Sequence, residues 1–182
     1  DGYLWLGTRG GLVRFDGLQF VQFDQDNTEA FRSDSCRSLA EDSDGNLWIA
    51  TRHGVVGHRA GTFRVFSAQD GLCDNNTTSI SASRSCGVWV GTGGGVNRIR
   101  ADQITRYVPA EMRSRFIYAV SEDGLGRVWV GADSGLSRLD TATGEFIPLW
   151  NGDQPPRRDE DPIVHCICAD HEGRVWFGTD DG

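Results

Sequence analysis

Asp44-Gly45-Asn46-Leu47-Trp48-Ile49-Ala50-Thr51 decides the fold, because its tryptophan core recurs. Tyr3-Leu4-Trp5-Leu6-Gly7-Thr8, Gly87-Val88-Trp89-Val90-Gly91-Thr92, Arg127-Val128-Trp129-Val130-Gly131-Ala132 and Arg174-Val175-Trp176-Phe177-Gly178-Thr179 are its copies. Their tryptophans stand 43, 41, 40 and 47 residues apart, which is the period of a repeat protein. Outward from each Trp the register holds. Six residues later stand Gly11, Gly54, Gly95, Gly135 and Gly182, and six residues earlier stand Asp42, Ser83, Asp123 and Asp170. Nine residues earlier stand Leu39, Ile80, Val120 and Ile167.

Each period reads as four β-type segments, A to D. Segment A covers 36–42, 77–83, 116–122 and 163–169. One parity of A carries the large aliphatics, and the other carries small residues such as Ser38, Ser79, Ala119 and Cys166. A strand with one bulky and one small face suits a sheet packed between two neighbours. Turns such as Asp42-Ser43-Asp44-Gly45 follow, with Asp to accept backbone amides and Gly to supply positive φ. Segment B is the tryptophan strand, and its Gly two residues after the Trp admits close approach from another chain segment. Glycine turns lead to segment C and polar turns to segment D, a hairpin-linked meander.

Four antiparallel strands every 40-odd residues make a β-propeller blade. The predicted class is all-β: a propeller fragment of four-stranded antiparallel blades, about four blades' worth. The expected organisation is one propeller segment over 1–182, with a partial blade at 1–23 (strands B to D). Whole blades are expected at 36–66, 77–108 and 116–149, and a partial blade (strands A and B) at 163–182. An open arc of a larger propeller is expected; the alternative is that the last A strand closes a four-bladed ring.

Composition agrees: 182 residues hold 24 Gly and one Met. The net charge of −8 argues against a nucleic-acid surface. Five cysteines do not form a plausible disulfide framework, and buried free thiols are expected. Asp42-Ser43-Asp44-Gly45-Asn46 begins like a calcium loop, but His53 stands where such a loop needs its bidentate Glu. Nothing in the sequence calls for a metal ion or a cofactor.

At Asp44-Gly45-Asn46-Leu47-Trp48 through Val55, and at Asp1-Gly2-Tyr3-Leu4-Trp5 through Asp16, the sequence resembles the two-component regulator propeller repeat. Every period carries the likeness, with departures at Ala50, Ala132, Gly57, Ser83 and Cys86. The resemblance implies a periplasmic sensor region of an inner-membrane bacterial signalling protein, coupled to a histidine kinase or diguanylate cyclase. It also implies a carbohydrate or another small polar ligand. The expected partners are the rest of a parent propeller, a membrane-linked output domain and a second copy of the parent.

Scaffold positions repeat, so function should sit where the copies disagree. The B-to-C turns carry Arg9, Arg52, His53, Asp133, Ser134 and Asp180. Eleven residues before each Trp, at the entry to segment A, stand Arg37, Thr78, Tyr118 and His165. In a propeller these positions gather at one channel mouth, where charged forks and rings could hold a polar ligand. Trp150, off-register in a loop, is a candidate for stacking on a sugar ring. The five register tryptophans suit packing between blades. No nucleophile elbow or phosphate loop is present, so no catalytic residue is expected. The alternatives are a polysaccharide lyase or hydrolase using Asp133, Asp180 and Asp181, or a plain scaffold for another protein.

Overall fold

A computed structural model describes residues 2–32, 35–109, 115–149 and 162–180. Among them every regular element is a β-strand, and the strands form five antiparallel sheets. The first sheet holds β1 (Leu4–Thr8), β2 (Gly11–Phe15) and β3 (Phe20–Phe23). The second runs β4 (Cys36–Glu41), β5 (Leu47–Thr51), β6 (Gly54–Arg59) and β7 (Thr62–Phe66). The third runs β8 (Thr77–Ala82), β9 (Val88–Thr92), β10 (Gly95–Arg100) and β11 (Gln103–Tyr107). The fourth runs β12 (Ile117–Glu122), β13 (Val128–Ala132), β14 (Gly135–Leu139) and β15 (Phe146–Pro148). In the fifth, β16 (Val164–Ala169) pairs with β17 (Val175–Thr179).

Three hydrophobic clusters lie between successive sheets. Trp5 packs with Leu39, Leu47 and Ile49 of the second sheet. Trp48 packs with Ile80, Val88 and Val90 of the third, and Trp89 with Ile117, Val120 and Val128 of the fourth. Burying one such ring removes about 200 Å² from water, or roughly 5 kcal/mol before entropy is counted. The tryptophan is thus a peg set into the next sheet. On the fifth sheet the same face is open, and Trp176 is 59% exposed. At the other end Leu4 and Leu6 are exposed on the first sheet. The fifth sheet does not pair with the first, so the sheets form an open arc rather than a closed ring.

The glycine of the tryptophan strand has the expected purpose. A Cβ on Gly131 would lie 2.7 Å from Val164 Cγ1 and 2.8 Å from its carbonyl oxygen. A Cβ on Gly91 would lie 2.9 Å from Ile117 Cγ2. In both cases the next sheet's first strand leaves no room for a side chain. Where Ala50 replaces this glycine, the next sheet begins with the smaller Thr77 in place of Ile117 or Val164. Thr77 Oγ1 donates to the Thr51 carbonyl at 2.6 Å.

The expectation of buried thiols is corrected. All five cysteines are free, but Cys36, Cys73 and Cys86 are half-buried, and Cys166 and Cys168 are exposed. The last two sit on the small-residue face of β16, and in this structure no following sheet covers that face.

Candidate functional site

Every four-stranded sheet, and the fifth, carries a register shift at the same place on its first strand. The ladder skips from Cys36 to Ser38, from Thr77 to Ser79, from Ile117 to Ala119 and from Val164 to Cys166. The residue left out is Arg37, Thr78, Tyr118 or His165. At this one position the repeats differ in chemistry. A β-bulge takes one residue out of pairing and re-aims its side chain. Its backbone cause is common to the sheets, and only the side chain varies.

The side chains of the first three bulges reach the next sheet. Arg37 Nη1 donates to Asn76 Oδ1 at 2.9 Å and to the Thr77 carbonyl at 3.3 Å. Thr78 Oγ1 donates to the Ile117 carbonyl. The Tyr118 ring meets the His165 ring edge-on, with centroids 5.4 Å apart. His165 Nε2 is hydrogen-bonded to Asp180 Oδ1, which comes from the turn after β17. The first three bulges therefore contact the following sheet at one end of the arc, and the fourth bonds within its own sheet.

The B-to-C turns close this end in a uniform way. Thr8, Thr51 and Thr92 donate their hydroxyls to the carbonyls of Gly11, Gly54 and Gly95 at 2.8, 2.9 and 2.8 Å. The same hydroxyls accept the N–H groups of Gly10, His53 and Gly94 at 3.1 Å. The fourth sheet departs from the pattern. Ala132 has no hydroxyl to offer, and in the turn after it Asp133 Oδ1 and Ser134 Oγ are buried without a hydrogen-bond partner among the described residues.

The sequence candidates thus divide. Arg37, Thr78, Tyr118, His165 and Asp180 join a continuous row along the first strands. Asp133 and Ser134 contribute unpartnered oxygens from the fourth sheet's turn. Arg9, Arg52 and His53 are exposed on the turns of the first two sheets. Burial, and after it the charge of Arg52, lowers the pKa of Arg37, so two guanidinium groups crowd one side of this end. The other side is acidic, with Asp133 and Asp180. Trp150 and Asp181 lie outside the described residues. Sequence reasoning missed Asp74 and Asn76, whose loop supplies the acceptor for Arg37. A loop residue without a repeat equivalent gives no periodic signal.

At the opposite end, the A-to-B turns of the second, fourth and fifth sheets are each held by a carboxylate. Asp42, Asp123 and Asp170 accept the indole N–H of Trp48, Trp129 and Trp176 at 2.8, 2.9 and 2.9 Å. Asp123 also takes the backbone N–H of Leu125 and Arg127 and the Arg127 Nε. Burial pushes this carboxyl up, but these bonds together outweigh it and hold the pKa at about 2.

Two stretches, 30–53 and 159–181, match the family model of the two-component regulator propeller. Over those two stretches the chain is similar to the two-component regulator propeller repeat. It is similar over 98% of its length to the extracellular domain of BT3049, described as a hybrid two-component system, from B. thetaiotaomicron. That likeness has a TM-score of 0.80 at 26% identity, and it covers 25% of the BT3049 chain. The present chain therefore spans about a quarter of that domain. The virginiamycin B lyase of Staphylococcus aureus shares the fold at a TM-score of 0.74 and 14% identity, over 97% of this chain and 59% of the lyase. The extracellular domain of BT4673 from B. thetaiotaomicron shares it at 0.77 and 22%, over 98% of this chain and 25% of the other. No functionally curated protein matches the chain.

Proposed function

We propose that this chain is a ligand-binding segment of the extracytoplasmic sensor region of a bacterial signal-transduction protein, and that it is not itself catalytic. The single observation that carries the binding part is the row of bulges. One backbone device displays Arg37, Thr78, Tyr118 and His165 side by side, flanked by Arg52 and Asp133. A scaffold need alone gives no reason for four different chemistries at one repeated slot. The sensor part is supported by the repeats and by the likeness to the BT3049 extracellular domain.

The ligand that suits this row is a small polar molecule, such as a carbohydrate, that can accept from Arg37 and Arg52 and donate to Asp133. Ligand held across the row would bridge successive sheets and bias their spacing, which is how a membrane-linked output domain could read it. The test is a double variant, Arg52→Ala with Tyr118→Ala, in the intact protein. It should fold normally and lose both ligand-induced thermal stabilisation and signal output. Retention of both would remove the row from the ligand site.

The pair of His165 with Asp180 favours a second reading, an enzyme propeller, because a carboxylate-oriented imidazole can move protons. It predicts glycan turnover that disappears in His165→Gln and Asp180→Asn. Its failure leaves the sensor reading in place.

A further inference from the structure

The third sheet breaks the rule that holds the far end of the others. Ser83 stands where Asp42, Asp123 and Asp170 stand, and Gly87 stands where Arg127 and Arg174 stand. In the fourth and fifth sheets the arginine lies over the tryptophan ring, 5.3 and 5.6 Å from its centre, and binds the aspartate at 2.6 and 2.7 Å. In the third sheet Arg98, arriving from β10 instead, takes the same place over Trp89 at 5.2 Å. The cation on the ring has been rebuilt from another strand, but its carboxylate has not.

The groups left behind are short of acceptors. Arg98 Nη2 reaches only hydroxyls, those of Ser85 and Ser83. Among the described residues Arg98 Nε is buried without a partner. Glu122 of the fourth sheet spends its carboxylate on the Trp89 indole, the Ser83 hydroxyl and the Arg84 backbone N–H. Among the described residues no carboxylate forms an ion pair with Arg84 or Arg98. Beside these two guanidinium groups lies an open cavity of about 430 Å³, lined also by Glu122, whose carboxylate is already engaged, and by Gly124, Leu125 and Thr141.

We propose that this cavity, between the third and fourth sheets and at the end of the arc away from the bulges, binds a small carboxylate such as a sugar acid. The ligand's carboxylate takes the role that Asp123 and Asp170 play toward Arg127 and Arg174. Arg98 Nε donates to it from the buried side and Arg84 from the rim. A guanidinium fork matches a carboxylate in a way that a neutral hydroxyl does not. The volume has room for one sugar-acid ring.

The test uses glucuronate, acetate and glucose as probes, titrated by calorimetry into the intact protein. Glucuronate should bind at least about tenfold more tightly than glucose, since the charged bond is worth that much or more. Arg84→Ala, on an exposed side chain, should weaken glucuronate by about fivefold or more without loss of melting temperature. Ser83→Asp should abolish binding while keeping or raising the melting temperature, because it returns the missing carboxylate from within the sheet. Binding of acetate as well would show that the carboxylate alone is held, and this supports the assignment. Equal affinity for glucuronate and glucose, or unchanged glucuronate binding in both variants, would overturn it. The channel-end variants Arg52→Ala and Tyr118→Ala should leave this binding intact, which separates the two sites.

Discussion

Trp89 gives its indole N–H to Glu122 Oε2 at 2.6 Å, across the boundary between two sheets. In the second, fourth and fifth sheets the acceptor is an aspartate of the tryptophan's own sheet. The third sheet is therefore tied to the fourth through its tryptophan N–H, a group that the second, fourth and fifth sheets keep within themselves.

Glu122→Ala should destabilise the protein by about 1–3 kcal/mol, since it leaves the Trp89 N–H and the Ser83 hydroxyl short of partners in a largely buried place. Adding Ser83→Asp should recover much of that loss by restoring an acceptor within the sheet. Chemical denaturation of the two single variants and the double variant gives the coupling, and strict additivity would contradict the exchange of roles.

Gly131→Ala should cost about 1–3 kcal/mol, because the new methyl meets Val164 at both side chain and carbonyl. Val164→Ala should relieve the side-chain part and not the carbonyl part. Val164 is buried and its truncation has a cost of its own, so the double variant is expected to lose less than the sum of the two single losses.

Asp123 makes stability depend on acid in a defined window. Its carboxyl is held at about 2 against an ordinary 3.8. A lowered folded-state pKa contributes stability that is complete above about pH 4 and is lost as pH falls toward 2. The contribution is roughly 2 kcal/mol at neutral pH. Asp123→Asn should lower the melting temperature at pH 7 and flatten its fall between pH 4 and pH 2. An unchanged acid slope would mean that other carboxylates dominate.

Ala132→Thr should stabilise the fourth sheet. The hydroxyl would meet the Gly135 carbonyl and the Ser134 N–H, as Thr51 and Thr92 meet their equivalents. The expected gain is about 0.5–1.5 kcal/mol, which is a few degrees in melting temperature for a chain of this size. A loss of stability would show that the fourth turn is shaped for its own purpose.

The repeat made the fold legible in the sequence. Trp48, Gly54 and Asp42 recur at fixed offsets because each is demanded by a contact that every sheet repeats. The alternation of Leu39 with Ser38 and Ala40 likewise told of a strand covered on both sides. The candidate row was legible by the opposite sign, since Arg37, Thr78, Tyr118 and His165 occupy one offset with four chemistries. The bulge beneath them was not legible, because a bulge leaves no residue signature when its side chains differ. The Arg98 cavity was visible only as drift at Ser83 and Cys86. Its meaning needed the knowledge that Arg98, Glu122 and Ser83, from three separate strands and turns, meet around one ring. The thiols of Cys166 and Cys168 were misjudged because parity tells which face a residue is on, not whether a neighbour is present to cover it.

The four bulges have a consequence for how recognition can change over time. A paired strand residue answers to two partners, so altering it risks the sheet. A bulged residue has been excused from the ladder by its backbone, and its replacement leaves the strand pairing of its own sheet untouched. Arg, Thr, Tyr and His already occupy one equivalent slot within a single chain. The arc is therefore a stable carrier with interchangeable letters, on which a new specificity can be spelled by point substitution without renegotiating the fold.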